Sequence, residues 1–170
     1  LALGRPGDPR TWPAGHARDL ARILAGAGWS VVLLSGPAEE PAGRELEREL
    51  AEVAGIHHWV GQRGLARLAS WMEAAAGRGV RYVGSDSGPM HLAWAMGLEV
   101  LCLAGPQDPA RTGPWPPPGP GSPHRVVTAP FEDEPLSCRP CLARTCGHGR
   151  GPVCLTELAP ARVAELLLDR

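Results

Sequence analysis

Val80-Arg81-Tyr82-Val83-Gly84-Ser85-Asp86-Ser87-Gly88-Pro89-Met90-His91-Leu92-Ala93-Trp94-Ala95-Met96 reads as strand, turn and helix, in that order. Val80 to Val83 is a strand-like run, and Leu92 to Met96 continues as an apolar helix. Between them Ser87 suits an N-cap, and Pro89 is pre-set for the first helical turn. Gly88 has no side chain, so a ligand can approach the backbone there. A strand that delivers straight into a helix N-terminus makes an anion site, because unpaired N–H groups and the positive end of the helix dipole converge on it. His91 adds a donor in the same turn. The stretch predicts an α/β fold with a site for a phosphorylated ligand.

The same alternation extends in both directions. Ala2-Leu3 reads as a short strand and Gly4 to Trp12 as a loop. Pro13 to Ala27 reads as a helix whose Ala17, Leu20, Ala21 and Leu24 share one face. Trp29 to Leu34 is a continuous apolar run, as a parallel strand covered on both faces requires. A turn from Gly36 to Pro41 precedes a helix over Arg44 to Val53, and His57 to Val60 is a strand. Leu65 to Ala76 is a helix, Val100 to Leu103 a strand, Val126-Val127 a last strand, and Pro160 to Asp169 an amphipathic helix. Strands alternating with helices in this way predict a doubly wound parallel sheet. Ligands of such sheets bind beyond the carboxyl ends of the strands. The loops Gly4 to Trp12, Ser35 to Glu40, Gly84 to His91 and Gly105 to Pro109 all leave strands at that edge. Pro114 to Pro123, dense in proline, is a stiff surface excursion.

Composition narrows the function classes. The chain has 170 residues, 44% of them apolar, and a net charge of −1. That size allows one domain with a sizeable core, and that charge makes no case for nucleic acid or an anionic membrane. No apolar run approaches the ~20 residues of a membrane span. Leu1 to Arg10 shows no signal-peptide pattern, and the chain opens on Leu rather than Met. All 17 basic residues are arginine. This bias fits a GC-rich coding sequence, and the loop prolines suit a thermophile. Several enzyme signatures fail. Asp86, not serine, sits at the centre of the Gly84–Gly88 turn, so it is no nucleophile elbow. Neither a dinucleotide Gly-x-Gly-x-x-Gly nor a Walker A sequence is present.

Cys138-x2-Cys141-x4-Cys146-x7-Cys154 supplies enough ligands for a structural tetrahedral zinc, with His148 as a possible substitute. Disulfides and free thiols are the other readings of the same spacing. Cys102 belongs to a strand and reads as a small core residue.

Asp86 to Ala93, Leu103-Ala104-Gly105-Pro106-Gln107-Asp108-Pro109 and Thr112-Gly113-Pro114 together resemble glycosyltransferase family 9, the ADP-heptose:lipopolysaccharide heptosyltransferases. Arg10-Thr11-Trp12-Pro13 is similar to the family's basic-x-Trp-Pro motif, and Gly36 with Glu40 to its acid-bearing strand-end loop. The four clustered cysteines also look like a pattern found in members. The resemblance runs from about Pro6 to the last helix. It implies that residues 1–170 form one Rossmann-like domain, the C-terminal, donor-binding half of a GT-B enzyme. Within it lie the 114–123 loop, the cysteine-rich 138–154 segment and a 156–170 helix. The acceptor domain, with its catalytic base, is expected outside this chain, so the chain alone is expected to be inactive.

The implied reaction moves a sugar, heptose by resemblance, from an ADP-sugar to a lipopolysaccharide-type acceptor with inversion. Such transfer must stabilise negative charge on the departing diphosphate. Arg10 and His91 are the candidates for that role. Arg10, Glu40, Asp86, Ser87, Gly88 and His91 are the candidate donor-binding residues, with Glu40, or failing it Glu39, on the ribose hydroxyls. No Asp-x-Asp pair is present to hold a metal–diphosphate, so no catalytic cofactor is expected. The implied setting is cytoplasmic or peripheral at the inner face of the membrane, with a lipid-linked oligosaccharide as acceptor. The alternatives are a non-catalytic nucleotide-sugar-binding module and a zinc or redox domain on a Rossmann scaffold. Departures from the family pattern are Arg10 for lysine, Ser87 for threonine, Gln107 for threonine, and Trp94 where alanine is common. Asp8 is a further departure, a carboxylate on the phosphate-side loop that would repel a diphosphate.

Overall fold

A computed structural model describes residues 1–60, 64–129, 136–141, 143 and 145–169. Its helices are α1 (Ala14–Gly26), α2 (Glu40–Glu49), α3 (Leu65–Ala75), α4 (Gly88–Ala95), α5 (Pro109–Thr112), α6 (Val153–Thr156) and α7 (Pro160–Leu168). Its strands are β1 (Val31–Ser35), β2 (Ile56–Val60), β3 (Arg81–Ser85), β4 (Glu99–Leu103) and β5 (Arg125–Val127). Arg170, the last residue of the expected terminal helix, and residues 142 and 144 of the cysteine-rich segment lie outside the described residues.

All strand pairs are parallel: β1 with β2, β3 with β4, and β4 with β5. Residues 1–3 join the two groups. Leu34 N–H donates to Leu1 O and Leu3 N–H to Leu34 O, while Ala2 N–H donates to Val83 O on the other side. The spatial order is therefore β2, β1, residues 1–3, β3, β4, β5. Counting residues 1–3 as the first strand, this is the doubly wound Rossmann order, which reverses direction between that strand and β3.

Alternation along the strands explains the two layers of helices, since successive side chains point to opposite faces. Val31 and Leu33 with Val83, Leu101 and Leu103 pack against Leu20 and Leu24 of α1, Leu46 of α2, and Val163 and Leu167 of α7. Leu34, Tyr82, Val100 and Cys102 pack instead against Met72 of α3 and Met90 and Ala93 of α4. Burial pushes the Cys102 thiol up to about 12, as expected of a small core residue. The α/β, Rossmann-like architecture anticipated from the sequence is the one found.

One boundary differs in a way that matters. The second helix begins at Glu40 rather than Arg44, because Pro41 is accommodated in its first turn. His124 is a second departure from the simple picture, a buried histidine at the entrance to β5. Its Nδ1 accepts from Val100 N–H at 3.2 Å, so the ring proton sits on Nε2, 3.0 Å from Trp115 O. This ring ties the proline-rich excursion to β4, and burial lowers its pKa.

Candidate functional site

Two loops meet where the sheet reverses. One runs from Gly4 to Trp12 and the other from Ser85 to Gly88. Between them lies a cleft of about 250 Å³ lined by Arg5, Asp8, Arg10, Thr11, Glu39, Asp86, Ser87 and Gly88, among others. An adjoining apolar slot of about 520 Å³ is walled by Pro37, Trp59, Leu65, Leu68 and Pro89, and shares Glu39 with the cleft. Another apolar cavity, about 490 Å³ around Trp29, Trp71 and Val80, sits at the opposite, amino-terminal edge of the strands. That edge is the wrong one for a doubly wound ligand site.

The helix start forms as the sequence predicts. Ser87 is the N-cap in extended conformation (φ −161°, ψ 168°), and Met90 and His91 N–H both donate to its carbonyl. The Ser87 hydroxyl makes no capping bond, so it does not occupy the N-terminus of α4. Pro89 contributes no N–H, which concentrates the open donors at Ser87 and Gly88. A Cβ on Gly88 would meet nothing within 4 Å, so the protein itself does not require glycine there.

Asp86, whose side chain is only 7% exposed, organises the turn from beneath. Its Oδ2 accepts from Thr112 Oγ1 at the end of α5, and its Oδ1 lies 3.4 Å from His91 Nε2. Trp94 Nε1–H donates to His91 Nδ1 at 3.3 Å. An indole N–H can only donate, so the neutral His91 ring carries its proton on Nε2, facing Asp86. No local pattern marks Thr112 as a partner of Asp86, 26 residues away. The Trp94–His91 contact, by contrast, follows from i,i+3 spacing on a helix.

The first loop is held by Trp12. Its backbone N–H donates to Ser85 Oγ at 3.3 Å, and its buried indole N–H donates to Leu158 O at 2.9 Å. Gly4 lets the loop fold tightly, since a Cβ there would lie 2.6 Å from Thr11 Oγ1. Asp8 accepts from Arg10 three times: from its backbone N–H at 2.9 Å, from Nε at 2.8 Å and from Nη2 at 2.5 Å. The Arg10 guanidinium holds the Asp8 carboxyl below the usual carboxylate range. Asp8 is thus paired, rather than a bare charge in the cleft.

Of the candidate donor residues, Arg10, Asp86, Ser87 and Gly88 come together around the cleft, while His91 does not line it and reaches it only through Asp86. Glu40 does not line it. As the first residue of α2 it reaches along the helix to Arg44 Nη2 at 3.6 Å. Glu39 takes the cleft position, its carboxylate folded against Gly36, where a Cβ would lie 2.6 Å from Oε2. The cysteines are elsewhere. Among the described residues all five are free thiols, and no three His, Cys, Asp or Glu side chains converge closely enough to hold a metal ion. Cys138 and Cys146 are exposed, while Cys154 is buried, which raises its pKa.

Residues 5–121 match the sequence profile of glycosyltransferase family 9 (heptosyltransferase). The chain belongs to this family. Among curated relatives it is 31% identical, over 92% of its length, to lipopolysaccharide heptosyltransferase 1 of Pseudomonas aeruginosa. It is 32% identical, over 64% of its length, to lipooligosaccharide heptosyltransferase 2 of Haemophilus influenzae. The chain spans 43% and 31% of those two proteins. Among solved structures, the ADP-heptose lps heptosyltransferase II of E. coli superposes with a TM-score of 0.68 at 26% identity, over 98% of this chain and 45% of that one. The E. coli heptosyltransferase WaaC solved with ADP superposes at 0.67, with 21% identity and coverage of 98% and 42%. The family match spans both loops of the cleft and the start of α4, and no helix among the described residues is long and apolar enough to cross a membrane.

Proposed function

We propose that this chain binds the nucleotide-sugar donor of a heptosyltransferase-like reaction, an ADP-sugar of the heptose class. The observation that carries the proposal is the α4 N-terminus at the sheet's reversal point, where an open helix end and the Arg10 guanidinium face one polar cleft. The likeness to the E. coli ADP-heptose lps heptosyltransferase II favours the adenosine series.

The diphosphate sits over Ser87 and Gly88, where backbone N–H groups and the helix dipole balance its charge. Arg10 closes on it from the first loop, and the Nε2–H of His91 reaches it by turning from Asp86. Glu39 accepts from the ribose hydroxyls, and the neighbouring apolar slot takes the base between Pro37, Trp59 and Leu68. In the transfer the bond between the anomeric carbon and the β-phosphate oxygen breaks as the acceptor hydroxyl attacks from the opposite face. The departing diphosphate takes the electron pair, and the charge it gains is what these donors stabilise. The acceptor is of lipopolysaccharide type, and its hydroxyl proton passes to a base as the new bond forms.

Titration calorimetry with ADP, adenosine and UDP tests the proposal. ADP binds and UDP binds more weakly. Arg10→Ala and His91→Ala each weaken ADP by about three- to tenfold while leaving adenosine unchanged, as loss of a charge-assisted contact to phosphate requires. A folded chain that gives no heat with any of the three removes the donor-site reading. Equal losses for ADP and adenosine would make Arg10 and His91 structural.

A further inference from the structure

The cleft is more acidic than a diphosphate site should be. Three carboxylates, Asp8, Glu39 and Asp86, face it against two guanidiniums, Arg5 and Arg10. Two of those acids have other work: Asp86 holds Thr112 and His91, and Glu39 lies against Gly36. Asp8 is different, because its partner is the cation that the ligand itself needs.

The Asp8 carboxylate takes Nε and Nη2 of Arg10 together, at 2.8 and 2.5 Å. That is the two-pronged edge with which a guanidinium grips a phosphate. The carboxylate lies inside, with its side chain 19% exposed, and the guanidinium outside, at 53%. The backbone supports the arrangement. Asp8 Oδ1 also accepts the Arg10 N–H two residues on, closing an Asx turn, while Asp8 N–H donates to Arg5 O and Thr11 N–H to Asp8 O. The carboxylate is therefore bonded by the loop backbone as well as by the Arg10 guanidinium.

We propose that Asp8 is an affinity- and specificity-setting residue of the donor site, a resident anion that competes with the diphosphate for Arg10. The inference rests on the donor-site reading above. An incoming diphosphate must draw the fork away from Asp8 or share it, and it meets the Asp8 charge in either case. The opposition grows with the charge on the phosphates and is absent for a nucleoside. Asp8 thus lowers affinity for ADP relative to adenosine and eases release of the spent diphosphate.

Asp8→Asn is the informative change, because the amide oxygen retains the acceptor for the Arg10 N–H and keeps the turn. Calorimetry on the native chain and on this variant, with adenosine, AMP and ADP, reads the effect. The variant binds ADP about tenfold tighter, AMP less markedly so, and adenosine with unchanged affinity, the ordering that like-charge repulsion dictates. Asp8→Ala, which loses the turn as well, gives the same ordering if its melting temperature matches the native chain. ADP affinity that is unchanged or weakened in Asp8→Asn overturns the proposal, as does a gain of equal size for adenosine. If neither the native chain nor the variant binds any of the three, the donor-site reading itself has failed. Native binding that the substitution leaves untouched removes only the role of Asp8.

Discussion

Trp12→Ala costs the domain about 3–5 kcal/mol, the range for deleting a large aromatic side chain from a packed interior. Trp12 is 4% exposed and joins the core formed by α1, α7 and one face of the sheet. Its indole N–H satisfies Leu158 O just before α7, a carbonyl left without that donor in the variant. Its ring also meets His16 edge to face, with centroids 5.5 Å apart. In a chain of this size such a loss lowers the melting temperature by ~10 °C or more. Trp12→Phe preserves most of the buried area but not the bond to Leu158 O, and costs about 1–3 kcal/mol. Thermal and urea melts of the two variants give these values. A Trp12→Ala melt within ~2 °C of the native chain would show that Trp12 is not the staple described. The functional consequence follows from position. Trp12 stands two residues after Arg10, and its backbone N–H donates to Ser85 Oγ at the end of β3, so the residue whose side chain anchors the first loop in the core also joins the two cleft loops through its main chain.

Gly88→Val has the opposite signature, with binding lost and stability kept. Nothing in the protein lies within 4 Å of a Cβ at this position, and its backbone is not in the left-handed region. Valine is no worse than glycine inside a helix, so the melting temperature holds or rises slightly. A diphosphate over the α4 N-terminus must approach the Gly88 backbone closely, and a branched side chain there blocks it. ADP affinity falls at least about tenfold, some 1.4 kcal/mol, in the same calorimetric assay. Gly88→Ala falls between the two. Native ADP affinity in Gly88→Val would place the phosphates elsewhere. A loss of stability alongside the loss of binding would mean that the glycine serves the fold.

The contrast between these two residues shows what the sequence made legible. The strand–turn–helix around Ser87 could be read directly because each of its steps has a local cause: an apolar strand, an N-cap residue, a proline in the first turn. The doubly wound sheet could be read because β1 and β4 are apolar on both faces, as Val31–Leu34 and Val100–Leu103 show. α2 begins at Glu40, four residues before the Arg44 that the charge pattern suggests, although the sequence carries the signal. Pro41 marks a first helical turn, and placing it there moves Glu40 onto the helix and leaves Glu39 at the cleft. Trp94 stands out in the sequence only as a departure from the family pattern, yet its spacing from His91 already puts an indole donor beside the imidazole. Thr112 with Asp86, and His124 with Val100, are tertiary contacts with no local pattern to announce them. The Asp8–Arg10 fork is a third kind of case. The two residues are adjacent enough to suggest a pair, but only the loop's turn shows that the carboxylate takes the phosphate-gripping edge.

The central claim is that the amides at the start of α4 receive the diphosphate. Amide chemical-shift mapping of the native chain during titration with ADP, and separately with adenosine, tests it most directly. The account predicts that ADP shifts Ser87, Gly88 and the Arg10 loop most strongly, and that adenosine leaves those three nearly still while moving the slot around Trp59 and Leu68. ADP shifts that leave Ser87 and Gly88 in place, or that gather at the opposite edge of the sheet around Trp29 and Val80, would contradict it.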